Sequence, residues 1–254
     1  MNLVFASGFL FPQTLFGGID YFRRLRTHFK GRHATAFPPV SPAASSEARA
    51  QQLADGIARE FPHGDIHIIA HSMGGLDSRI LIARDLNGLS RRIVSLTTLS
   101  TPHRGSPVAD LLAGHAPDGV QRQTLDRATL AIRALGIDIG ALADLTTERA
   151  TRLPDPTQTH PHVHYRSYFA AGRPGPVKTS ALLLPLHKFV EEATGEPNDG
   201  VVTRESARFG ELQDPFWDCD HLEMVGHNLD TADLIHRFDH FRHFDAIVEQ
   251  LQEQ

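Results

Sequence analysis

Residues 66–76 read Ile-His-Ile-Ile-Ala-His-Ser-Met-Gly-Gly-Leu, and no other stretch restricts the fold so tightly. The apolar residues Ile66, Ile68 and Ile69 suit a strand buried on both faces of a parallel sheet, and a helix-like segment from Leu76 to Arg84 follows almost at once. Ser72 stands at the break. A strand that becomes a helix over one residue forces its corner into strained backbone, so the residues two positions to either side must be small. Here they are Ala70 and Gly74. Such a corner lifts the Ser72 hydroxyl clear of the sheet and turns the Met73 amide into the same space, at the positive end of the following helix. Ser72 is therefore a candidate nucleophile and Met73 a candidate oxyanion donor. A small-x-Ser-x-Gly pentapeptide can also be an ordinary turn; the flanking strand and helix favour the nucleophile.

The surrounding chain alternates in the same way. Leu3 to Ser7 is an apolar run ended by Gly8 and predicts a first strand, with residues 9–18 as its loop. Such loops lie at the carboxyl ends of parallel strands, where ligands bind, so the amide of Phe9 is the second candidate oxyanion donor. The alternative is that Gly8 only permits a turn and the Phe residues fill core. A helix is expected over 19–30, closed by Gly31, and a strand over 33–37. After Ser45 and Ser46, residues Ala50, Leu53, Ala54, Ile57 and Ala58 recur at helical spacing beside polar Arg49, Gln51, Gln52, Asp55 and Arg59. A further strand, 91–100, runs into Thr101-Pro-His-Arg-Gly105. Strand and helix in alternation imply an α/β chain with a mostly parallel central sheet flanked by helices.

Composition removes several classes. A chain of 254 residues suits one large α/β domain or two small ones, and one domain over 1–254 is expected. Cys219 is the only cysteine, so neither an internal disulfide nor a Cys-based zinc site can form. The net charge of −5 provides no basic stripe, and nucleic acid is not an expected partner. No run approaches the ~18 apolar residues of a membrane span, and Ala181 to Leu186 is interrupted by Pro185. The N-terminus lacks the cationic region of a signal peptide, so a soluble, cytoplasmic monomer is expected, with export lacking such a signal left open.

Residues 107–150 are rich in Leu, Ile, Ala and Gly without strand alternation, among them Leu111, Leu125, Leu130, Ile132, Leu135, Ile137, Ile139, Leu142 and Leu145. Helices inserted there would cover the active face as a lid; extra core helices are the alternative. His160, His162 and His164 alternate along an expected strand over 160–171, and His236, His240 and His243 share a face of an expected helix over 235–251. Neither set has the accompanying carboxylates or Cys of a metal site, so no metal is expected. Asp199, at an Asx-Gly turn beside Val201 and Val202, is the candidate orienting acid. His221, in a loop before the last helix, is the candidate base. Asp214, Asp218 and Asp220 are rival acids, crowded against His221 in sequence; His227 is the reserve base, and His103 is weighed as a base but reads as a wall residue. The chain order Ser, acid, His is that of an α/β-hydrolase.

With these blocks together, the chain resembles the bacterial triacylglycerol lipases of the α/β-hydrolase superfamily. The resemblance rests on Ala70-His-Ser-Met-Gly-Gly-Leu-Asp-Ser-Arg79, Leu99-Ser-Thr-Pro-His-Arg-Gly-Ser106, Asn198-Asp-Gly-Val-Val202 and His221-Leu-Glu223. It implies an α/β-hydrolase fold with a helical lid at about 107–150. It also implies Ser72 as nucleophile, Asp199 as acid, His221 as base, and the amides of Phe9 and Met73 as oxyanion donors. Three departures stand out. Ser7-Gly8 replaces the family's usual His-Gly, and Ala70 replaces a Gly. Glu223 stands where related lipases have a calcium-binding Asp, and no Asp lies between Asp155 and Asp199, so calcium is not expected. The implied activity is cleavage of apolar acyl esters such as acylglycerols through an acyl-enzyme, at a lipid–water interface and without a cofactor. Acyl transfer or polyester hydrolysis with the same residues is an alternative, as is an idle hydrolase-fold module that binds an apolar ligand.

Overall fold

A computed structural model describes residues 1–9, 20–42, 44–134, 142–172, 179–228 and 238–253. Six strands form one sheet in the order β2-β1-β3-β4-β5-β6: β1 Asn2–Ala6, β2 Ala34–Ala36, β3 Ile66–His71, β4 Ile93–Leu99, β5 His164–Tyr168 and β6 Glu211–Leu212. Every pairing between them is parallel.

The apolar runs resolve into two faces because successive side chains of a strand point oppositely. Leu3 and Phe5 of β1, Ile69 of β3 and Leu99 of β4 join Phe22, Phe29 and Phe244 on one face. Val4, Ala6, Ile66, Ile68 and Ala70 join Leu53, Ile57 and Leu81 on the other. The first face is covered by the short helix α1 (Leu25–His28) and the C-terminal helix α9 (His240–Gln252). The second is covered by α2 (Ser46–Glu60) and α3 (Met73–Ala83). Ser45 caps α2, its side chain accepting from the Ala48 amide at 3.3 Å.

Between β4 and β5 the chain forms α4 (Pro107–Leu112), α5 (Arg122–Ala134), a 3-10 turn (Ala143–Leu145) and α6 (Thr147–Ala150), as the absence of strand alternation predicts. Leu135, Ile137 and Ile139 lie outside the described residues. The two ends of this insertion are tied together at its base. Thr147 donates from its amide and its hydroxyl to the Asp110 carboxylate, at 2.9 and 2.6 Å, and the Ser106 amide donates to the Leu145 carbonyl at 2.9 Å. A Cβ on Gly105, which has φ +88°, would lie 2.4 Å from Thr147 Cα, so only glycine fits this closure. Beyond β5 come α7 (Leu184–Thr194) and α8 (Arg204–Ala207).

Three expectations change. The helix expected over 19–30 is only Leu25–His28, because Arg24 takes a left-handed backbone at φ 61° and breaks it; Ile19 lies outside the described residues. The last helix starts at His240 instead of residue 235, with the Asp239 side chain accepting from the Arg242 amide at 3.3 Å; residues 235–237, including His236, lie outside the described residues. Val201 and Val202 form no strand. They sit in a tight loop closed by one antiparallel bridge between Asn198 and Thr203.

Candidate active site

The site begins at the corner after β3. Ser72 has φ 55° and ψ −131°, a conformation that L-residues rarely adopt and that the surrounding structure must enforce. Its amide donates to the Leu99 carbonyl of β4 at 3.0 Å. Ala70 pairs in register with Ala6 of β1, and a Cβ on Gly74 would lie 2.3 Å from the Ala6 carbonyl oxygen. One small residue and one glycine thus let α3 start directly against the sheet. Gly75 is equally constrained, since a Cβ there would lie 2.1 Å from Thr101 Oγ1. No local pattern marks Gly75, because its neighbour Thr101 belongs to the loop after β4.

His221 Nε2 lies 3.0 Å from Ser72 Oγ, and His221 Nδ1 lies 2.7 Å from Asp199 Oδ2. Asp199 is fully buried. Its other oxygen, Oδ1, accepts from the amides of Val201 at 2.9 Å and Val202 at 2.7 Å. The His221 amide donates to the Asp199 carbonyl at 3.0 Å, which joins the two loops at backbone level. A carboxylate oxygen can only accept, so His221 carries its proton on Nδ1 and offers the Nε2 lone pair to the Ser72 hydroxyl.

Ser72 and His221 face a cleft whose other walls include Phe9, Val108, Leu142, Leu145, Leu183 and Leu186. Apart from Ser72, His221 and Ser106, its lining is apolar. Phe9 comes from the end of β1, Val108 and the Leu142–Leu145 pair from the insertion, and Leu183 and Leu186 from the start of α7. Met73, the first residue of α3, is buried beside Leu76 and Leu145.

Comparison with known proteins agrees with this geometry. The chain is 32% identical over 183 residues to triacylglycerol lipase 2 of Saccharomyces cerevisiae, a match covering 72% of this chain and 52% of the yeast protein. The chain thus spans about half the length of that relative. A triacylglycerol lipase of Pseudomonas fragi is 29% identical over 258 residues, covering 86% of this chain and 85% of the relative. No protein-family model matches the chain. The crystal structure of a metagenomic carboxyl esterase superposes with a TM-score of 0.74 at 18% identity, covering 100% of this chain and 76% of that one. The chain has the α/β-hydrolase fold and is similar in sequence to triacylglycerol lipases.

Within this fold the rival residues Asp220, Asp214, His227 and His103 are engaged elsewhere. Asp220 accepts from the Ser180 amide through Oδ2 and from the amides of Leu222 and Glu223 through Oδ1, each at 2.9 Å, so it shapes the turn that presents His221. Asp214 pairs with exposed Arg204 at 3.1 Å. His227 donates from Nε2 to the Tyr21 carbonyl at 2.8 Å. His103 is buried against the Phe209 ring, between the Arg79 guanidinium and Thr98, as a wall residue would be. Among the described residues, no three His, Cys, Asp or Glu side chains gather as metal ligands. Glu223 accepts from the Asp220 amide at 3.1 Å, and His162 donates to the Ser90 carbonyl at 3.0 Å.

One functional support was misread from sequence. Arg49, expected on the polar face of its helix, is fully buried and forms an ion pair with buried Asp77 at 2.8 Å. It also donates to the Ser7 carbonyl at 2.8 Å and the Ser41 carbonyl at 3.1 Å, so it holds the end of β1 where the Phe9 loop begins. The signal was present: positions 49, 53 and 57 share one helical stripe, and Leu53 and Ile57 are core. Arg49→Met strands a buried carboxylate and is expected to cost about 3–5 kcal/mol in urea unfolding. A cost below about 1 kcal/mol would contradict the brace, since removing one partner of a buried pair leaves the other uncompensated.

Buried imidazoles set an acid-side limit on stability. Burial, reinforced by the neighbouring His221 imidazole, holds His71 well below 6.5; burial, reinforced by Arg79 and Arg104, does the same to His103. Both titrate near 6.5 when unfolded. The unfolded chain therefore binds two more protons below that pH, and the stability they contribute above 6.5 is lost as pH falls. Burial lifts Asp77 to about 7 against the pull of Arg49, which acts in the opposite direction with one proton. Burial also depresses His33, His67, His227, His240 and His243, while buried Asp220 is raised like Asp77; the imidazoles outnumber the two carboxyls, so stability is expected to fall as pH drops below 6.5. Urea midpoints at pH 6.5 and 5.5 test this; an equal or higher midpoint at pH 5.5 would refute it.

Proposed function

We propose that this chain is a serine carboxylester hydrolase acting on apolar acyl esters such as acylglycerols. The single observation that carries the reading is the continuous Ser72–His221–Asp199 hydrogen-bonded line, at 3.0 and 2.7 Å, opening into an apolar cleft. In this reading His221 Nε2 takes the Ser72 proton as Oγ attacks the ester carbonyl, and Asp199 stabilises the imidazolium that forms. The amides of Phe9 and Met73 stabilise the oxyanion of the tetrahedral intermediate, Met73 with the aid of the α3 dipole. His221 then protonates the departing alcohol, and a water activated by the same imidazole hydrolyses the acyl-enzyme.

The acyl chain occupies the cleft between Leu142 and Leu145 on one side and Leu183 and Leu186 on the other. Residues 107–150 act as its lid. Relatives named triacylglycerol lipase support a lipid ester as substrate. Among the described residues no helix is long and apolar enough to cross a membrane, so such an ester is reached from the aqueous side or at its surface. Treatment with a fluorophosphonate and peptide mass spectrometry test the reading. One phosphonyl adduct on the Ser72 peptide, together with turnover of p-nitrophenyl esters, is expected; binding of an apolar ligand with neither adduct nor turnover would overturn it in favour of an idle binding module.

A further inference from the structure

The peptide between Ser7 and Gly8, which leads into the Phe9 amide, is held from one side by Arg49 acting on the Ser7 carbonyl. On the other side lies Tyr21. A Cβ on Gly8 would come within 2.7 Å of the Tyr21 hydroxyl, 2.6 Å of Ser72 Cβ and 2.8 Å of the His71 carbonyl, so the four residues meet at one point. The Tyr21 hydroxyl is 2.7 Å from His71 Nδ1. The His71 ring in turn lies against the His221 ring, with centroids 4.6 Å apart and planes at 42°. One hydroxyl therefore links the loop that carries Phe9 to the imidazole that backs His221.

Both members of this pair are neutral. Burial raises Tyr21 far above its usual range, opposed by the Gly8 amide, and burial depresses His71. A neutral phenol beside a neutral imidazole donates, so the Tyr21 O–H points at His71 Nδ1 and leaves an oxygen lone pair for the Gly8 amide. The His71 proton then sits on buried Nε2, where the His221 backbone carbonyl attracts it, so His71 faces the base through its backbone as well as its ring.

We propose that Tyr21 and His71 are positioning residues for ester hydrolysis: the Tyr21 hydroxyl holds the Ser7–Gly8 peptide, immediately before the Phe9 amide, while the His71 ring backs His221, fixing the oxyanion donor relative to the base. Because the pair carries no charge, it does not oppose the imidazolium that forms on His221 4.6 Å away. The proposal rests on the reading of Ser72 as nucleophile. It adds a reason why Ser7 needs no imidazole of its own to support this loop: the support comes from behind, through Tyr21.

The test uses the full chain with p-nitrophenyl butyrate and four variants: Tyr21→Phe, His71→Phe, the double Tyr21→Phe/His71→Phe, and His71→Asn. Each Phe variant is expected to lower kcat about 10- to 100-fold, the cost of misplacing rather than deleting an oxyanion donor, with KM within about 3-fold. The double variant loses no more than the worse single, because both singles remove the same hydrogen bond. His71→Asn places an amide oxygen where Nδ1 was and recovers most of the kcat lost in His71→Phe. Tyr21→Phe removes one oxygen and keeps the ring, so a folded protein is available whatever the other variants do. Wild-type kcat in Tyr21→Phe, multiplicative losses in the double, or a change in KM alone would each overturn the pair. Wild-type protein without turnover or a Ser72 adduct would instead overturn the hydrolase reading itself.

Discussion

Ser72→Ala is expected to lower p-nitrophenyl ester turnover on the order of 10⁵- to 10⁶-fold, leaving only what the oxyanion donors and the cleft provide without a nucleophile. The substitution removes one oxygen from a residue that is 5% exposed, and its backbone anchor, the Ser72 amide on the Leu99 carbonyl, does not involve the side chain. Gly74 and Gly75 still permit the close start of α3. Melting temperature and substrate-analogue binding are therefore expected to stay near wild type while kcat collapses. Turnover surviving within about 100-fold would remove Ser72 from the mechanism, since loss of a nucleophile costs far more than loss of a single donor.

Asp199→Asn is expected to cost about 10⁴-fold in kcat with little change in fold. The reason lies in the two amides on Oδ1. Val201 and Val202 both donate there, so an asparagine keeps its carbonyl oxygen on them and turns its NH₂ toward His221 Nδ1. His221 Nδ1 must then accept, and its proton moves to Nε2. An imidazole protonated at Nε2 cannot take a proton from Ser72, 3.0 Å away. The charge that would stabilise the imidazolium is lost as well. Steady-state kinetics on the purified variant decide the matter. A fall of less than about 100-fold would move the orienting role away from Asp199.

Local periodicity made much of this legible from the residues. A strand at Ile66–His71 and a helix after it are expected and found, the helix beginning at Met73 instead of Leu76, because a both-faces-buried strand and a following helix are encoded within eighteen consecutive residues. The glycine and alanine beside Ser72 carry their meaning locally too: the corner leaves no room for larger side chains. Residues 107–150 contain helices and no strand among the described residues, as their lack of alternation implied. Where the chain breaks its own pattern by a backbone excursion, as at Arg24, the reading overran.

By itself, then, the sequence determined the alternating α/β architecture, the strained corner at Ser72 and the chain order of a serine, an acid and a histidine, since each depends on neighbours within a few turns. Only the tertiary structure decided which acid and which histidine reach Ser72. Asp199 and His221 lie in separate loops, and 149 positions separate His221 from Ser72. Only packing of both loops beside the carboxyl end of β3 brings them within hydrogen-bond distance. The tertiary structure likewise turned Arg49 inward and joined Tyr21 to His71 across 50 positions. Pairing of buried polar groups is set by what the fold places opposite them, which no local pattern records.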